Sequence, residues 1–173
     1  MKNIVIIALI VALFTFVVIK SESTQTEYLR IHIQSNSLSE KDENAKFLVK
    51  DKLNNLLAEI IVNTSSKQQL MQMLSINLES LTDKINDYLL GQGFNYLASI
   101  SLNNEYFPTR SYEGYVVDSG FYDALIVKLG AAKGDNWWCV LYPPLCVSES
   151  GTTAIKSRIK NIIESFFNKK ESV

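Results

Sequence analysis

GFYDALIVKLGAAKGDNWWCVLY, residues 120–142, holds two apolar runs separated by a turn rich in glycine. Tyr122 to Leu129 and Asn136 to Tyr142 have strand texture, and Gly120, Gly130 and Gly134 fall where turns belong. Two strands on so short a connection predict antiparallel neighbours. Moving towards the N-terminus, Tyr112 to Val117 and the alternating stretch Phe94 to Leu102 predict two further strands. A fifth precedes them: Tyr28 to Gln34 (YLRIHIQ) sets Leu29, Ile31 and Ile33 against Arg30, His32 and Gln34, the period-two pattern of a half-buried strand.

Between the first strand and the others the period changes to that of a helix. Ser39 is placed to cap, Glu40, Asp42 and Glu43 suit a helix start, and Ala45, Val49, Leu53, Leu57 and Ile61 recur on one face. Asn63 to Ser66 interrupts. A second stripe runs through Leu70, Leu74, Leu78, Leu81, Ile85 and Leu89, with Gly91 as its stop. A last amphipathic helix covers about Thr152 to Asn168. Strand, two helices, a run of strands and a final helix predict an α+β domain, an antiparallel sheet of about four to five strands with two to three helices packed on it.

Ahead of this body lies a hydrophobic helix. Lys2 is followed by Ile4 to Ile19, broken only by Thr15. That length falls between a signal-peptide core of roughly 7–15 residues and a spanning helix of about 20. Residues 1–23 therefore read as a signal peptide, with Ser21-Glu22-Ser23 as a cleavage pattern, or as a retained signal-anchor. Either places a single domain, residues 24–173, outside the cytoplasm.

Seventeen basic against eighteen acidic residues leave no dense cationic face, which argues against nucleic acid and against any membrane contact beyond the leader. No nucleophile elbow, phosphate-binding glycine loop or H-E-x-x-H helix is present, so nothing points to a cofactor or a small-molecule substrate. His32 is the single histidine, and Cys139 and Cys146 are the only cysteines. The two cysteines have four readings: an intrachain disulfide turned by Pro143-Pro144, free thiols, zinc ligands with His32 and a carboxylate, or an intermolecular disulfide. A thiol- or zinc-dependent hydrolase using Cys139 or Cys146 with His32 is the catalytic alternative.

Two aromatic segments remain. Tyr106 to Gly114 (YFPTRSYEG) reads either as a recognition surface, with Arg110 pinning a carboxylate, or as a packed hairpin connection entered through Pro108. In residues 136–142, Trp137 and Trp138 fall on opposite faces. The strand is then central and covered on both sides, or one of its faces is an interface.

These segments, with Arg30 to Ser37, Ala45 to Asp51, Gly120 to Leu125 and the run GAAKGDNWWCVLYPPLC (130–146), give the chain its resemblance to the stage II sporulation protein R family. The resemblance implies a forespore protein exported into the space between the two membranes around the forespore, secreted or tethered by residues 4–19. There it would activate a membrane-embedded aspartic protease that processes pro-sigma-E in the mother cell. That role is a ligand's, not an enzyme's. The residues expected to meet the partner are Phe107, Arg110, Tyr112, Trp137 and Trp138, then Arg30 and His32, with Cys139 and Cys146 as a disulfide.

Overall fold

The computed structural model describes residues 27–171 apart from 113 and 148. The hydrophobic segment read at 1–23 lies outside them. The elements are β1 (Leu29–Gln34), α1 (Glu40–Ile61), α2 (Lys67–Gly91), β2 (Ala98–Phe107), β3 (Arg110–Tyr112), β4 (Tyr115–Val117), β5 (Gly120–Leu129), β6 (Asn136–Tyr142) and α3 (Thr153–Glu171). The α+β class holds, as does the N-cap: the Ser39 side chain accepts from Asp42 N. Three boundaries differ. The left-handed residue after α2 is Gly93, at φ +80, two positions past the expected stop. Phe94 and Tyr96 lie in the connection, so β2 starts later and runs to Phe107. The single strand expected over 112–117 is a hairpin of β3 and β4, turned beside Gly114 at φ +92.

The sheet is mixed rather than antiparallel, in the order β2-β5-β1-β6. β5 and β6 run in opposite directions, as their short connection predicts, yet they are not hydrogen-bonded neighbours. β1 lies between them, parallel to β5 and antiparallel to β6. Its burial explains the choice, since every residue from Leu29 to Ile33 is buried and such a strand is best covered on both edges and both faces.

The 130–135 loop has to step over the end of β1, and polar contacts pin it there. Asn36 Oδ1 accepts from Ala131 N at 2.8 Å, and Ser35 O accepts from Gly134 N at 2.9 Å. Lys46 donates to Asp135 O at 3.2 Å, while Glu43 accepts from Asp135 N at 3.1 Å. A β-carbon on Gly134 would overlap Ser35 Oγ and the Ser37 carbonyl, so only glycine fits the crossing.

One face of the sheet carries the larger core. Leu29, Ile31, Ile33, Leu125, Val127, Leu129, Cys139 and Leu141 pack there against Val49, Leu53, Leu57, Leu70, Leu74 and Ile85 of α1 and α2. α3 adds Ile159, while its Phe166 reaches the second cluster on the other face.

Candidate interaction surface

The second face is built from the alternate residues of the same strands. Register places Arg30 beside Ala124 and Val140, and His32 beside Ile126 and Trp138. Arg30 is fully buried although, among the described residues, no carboxylate pairs with it. Its Nε donates to Cys139 O at 2.9 Å and its Nη2 to the Tyr112 hydroxyl at 2.8 Å. Three rings surround the guanidinium, with centroids at 4.5 Å (Phe107), 5.1 Å (Tyr122) and 5.6 Å (Tyr112). Ring faces are negative at their centres and stand in for a counter-ion. Nη1 has no hydrogen-bond partner. Burial lowers the Arg30 pKa, opposed by the two tyrosines, but a guanidinium remains charged near neutrality. Burial likewise pushes the Tyr112 and Tyr122 hydroxyls up, opposed by the neighbouring Arg30 charge.

His32 ties three strands together. Its Nδ1 meets Glu105 Oε2 of β2 at 2.8 Å and its Nε2 meets Asn136 Oδ1 of β6 at 2.7 Å. The imidazole stacks on Trp138, centroids 5.6 Å apart and planes 30° apart. The Arg110 guanidinium lies 4.8 Å from the Trp138 ring centroid. Cys139 and Cys146 form a disulfide, with Cα atoms 6.2 Å apart. Among the described residues, no three of His, Cys, Asp and Glu are grouped to hold a metal ion.

Six of the seven expected contact residues therefore converge on one face: Arg30, His32, Phe107, Arg110, Tyr112 and Trp138. Trp137 packs against the helix-side core instead. Burial divides the six. Arg30, His32 and Phe107 are buried, so in this fold they hold up the surface from below, whereas Arg110 is exposed and Tyr112 and Trp138 are half-exposed. The strand of Trp137 and Trp138 is an edge strand rather than a central one, with residues of both its faces packed.

One surface feature exists only in the folded chain. Tyr106 and Phe121 pair across β2 and β5, rings 5.6 Å apart at 71°, and are 56% and 64% exposed. Tyr106 belongs to the aromatic segment 106–114, but its pairing with Phe121 depends on the β2–β5 register, which brings the two rings together.

Comparison with known proteins now decides the family. The model of stage II sporulation protein R (spore_II_R) matches residues 25–152. This chain belongs to the stage II sporulation protein R family. The match takes in β1 through β6, the α1–α2 pair and the Cys146 loop, and stops just short of α3. The chain is also similar to stage II sporulation protein R of Bacillus subtilis (strain 168), 29% identical over 131 residues. That alignment covers 75% of this chain and 58% of the relative's length. No solved structure matches. Membership ties the chain to sporulation.

Proposed function

We propose that this chain is an exported sporulation signal that acts by binding. Delivered from the forespore into the intermembrane space, it activates a membrane-embedded aspartic protease, and the protease then processes pro-sigma-E. The observation that carries the reading is the family match across the whole sheet. Two features agree with it. The apolar run Ile4 to Ile19 suits export, and a Cys139–Cys146 disulfide suits an oxidising compartment. The surface offered to the protease centres on Arg110, Trp138 and Tyr112, with Arg30, His32 and Phe107 fixing those side chains from beneath.

The hydrolase alternative is weaker on chemistry. A thiol nucleophile or zinc ligand needs a free thiolate, and both sulfurs are bonded to each other. Both His32 ring nitrogens are engaged as well.

The test is co-expression of the full chain, the protease and pro-sigma-E in a non-sporulating host, with loss of the pro-sequence read by immunoblot. Processing should require both the leader and the chain. Arg110→Ala with Trp138→Ala should cut it at least tenfold while the exported protein accumulates normally. Processing that proceeds equally without this chain would end the proposal.

A further inference from the structure

The two edges of the sheet are finished differently. β6 is closed by the chain's own groups: Val140 N donates to Cys146 Sγ at 3.1 Å, and Val140 O accepts from Cys146 N at 3.4 Å. The Tyr112 hydroxyl donates to Trp138 O at 3.2 Å. β2, at the other edge, is left bare. Among the described residues, β2 pairs with no strand other than β5. The strand is ten residues long and pairs with β5 through ten consecutive positions without a bulge. It contains no lysine, proline or glycine, and Glu105 is its single charge. Natural sheets blunt an exposed edge with lysine, proline, a bulge or a very short strand, because a regular row of free N–H and C=O groups is a template for another strand. None of those four is present here, and the strand's one charge, Glu105, turns inward to His32 Nδ1.

The geometry points to β2 as the strand through which two copies of this chain pair. They would run antiparallel about a two-fold axis at Asn103, joining two four-stranded sheets into one of eight. The row ASISLNNEYF fits its own reverse. With Asn103 on the axis, Ile100 faces Tyr106, Leu102 faces Asn104 and Ser101 faces Glu105 on each side. The lone carboxylate thus meets a hydroxyl and never another carboxylate. Ile100 and Leu102 are only half-buried in the single copy, and Tyr106 is 56% exposed. All three lie on the helix side of the strand, where the second copy would cover them. The pairing does not depend on the proposed protease activation.

The experiment uses the full chain in a non-denaturing detergent, with the native disulfide intact. Residues opposite one another in an antiparallel pair have Cα atoms about 4.5–5.5 Å apart, inside the roughly 4.4–6.8 Å range of a disulfide. Asn103→Cys should therefore oxidise to a covalent dimer at least tenfold faster than Gln92→Cys, an exposed control at the end of α2. By light scattering corrected for detergent the wild type should have the mass of a dimer. Asn103→Lys, exposed and harmless to the single copy, should raise the dissociation constant at least tenfold. A monomeric wild type at tens of micromolar overturns the inference. So does a dimer that ignores Asn103→Lys, or equal cross-linking at 103 and 92.

Discussion

β1 shows two kinds of interior within six residues. On one side Leu29, Ile31 and Ile33 enter an aliphatic core between the sheet and two long helices. On the other, Arg30 and His32 are buried too, but among aromatic rings, a glutamate and an amide. The first face obtains its stability from removing hydrocarbon from water, which needs no particular geometry. The second has to satisfy polar groups one by one, and leaves Arg30 Nη1 without a partner. A face so built is a poor means of stabilising a fold and a good means of fixing the positions of side chains, here Tyr112 and Trp138. The difference teaches that equal burial does not mean equal purpose.

Substitution on the aliphatic side should show the largest effect. Ile31 is fully buried between β5 and β6, and Ile31→Ala should cost about 3–4 kcal/mol by transfer and cavity together, measured by urea denaturation. A loss below about 1 kcal/mol would mean that this face is not the principal core. Next comes the staple behind the sheet. Removing the Cys139–Cys146 bond by a double change to alanine should cost about 2–3 kcal/mol, the loop-closure value for so short a loop. It should also loosen the capping of β6, because Cys146 closes that strand's edge. Faster amide exchange at Val140, with the α1–α2 helices unchanged, would register this.

These local patterns were open to reading because helical and strand periods concern neighbours in the chain. The stripes Leu53, Leu57, Ile61 and Leu70, Leu74, Leu81 were visible on that basis, as was the opposition of Ile31 to His32. The place of β1 was not. Its insertion between β5 and β6 depends on the Asn36 and Lys46 contacts that hold the 130–135 loop, and these join residues about a hundred positions apart. The candidate surface was half legible for the same reason. Aromatic density marked Phe107, Arg110, Tyr112 and Trp138, but only register shows that Phe107 closes over Arg30 while neighbouring Tyr106 turns outward to meet Phe121.

Arg30 sharpens the comparison at the next scale down. Arg30→Met keeps most of the volume and removes an unpaired buried charge, at the loss of the bonds to Cys139 O and Tyr112. Hydrophobic replacement of buried charges is often nearly neutral, so stability should stay within about 1.5 kcal/mol of wild type. Arg30→Ala, which leaves a hole under three rings, should cost about 3 kcal/mol. The variant with methionine should nonetheless signal poorly, because Tyr112 loses the donor that holds it. If it signals normally, the polar face is filler, and the contrast drawn on β1 fails. If instead it is as unstable as the alanine variant, the cation itself holds the rings in place.

Acid should discriminate between the aliphatic core and the polar knot where β1 meets α1. Burial raises the Asp42 pKa, but hydrogen bonds from Ser37, Asn36, Tyr96 and Ser39 together outweigh it and hold the carboxyl below its ordinary range. Glu43 is held low in the same way, mainly by Lys46 and Ser35. A carboxyl depressed in the folded state binds fewer protons than in the unfolded one. Its contribution is therefore complete above the unfolded value, about 3.9 for aspartate, and is lost as pH falls through the folded value. Asp42→Asn should cost about 1 kcal/mol at neutral pH, since it removes the charge from those hydrogen bonds. The gap to wild type should narrow as pH drops below about 4, because the wild-type carboxyl then becomes neutral too. Ile31→Ala should show no such convergence, since no proton is bound or released where hydrocarbon is lost. Two curves that stay parallel down to acid pH for Asp42→Asn would show that the knot works through shape alone, and that the Asp42 charge has no part in holding β1 between β5 and β6.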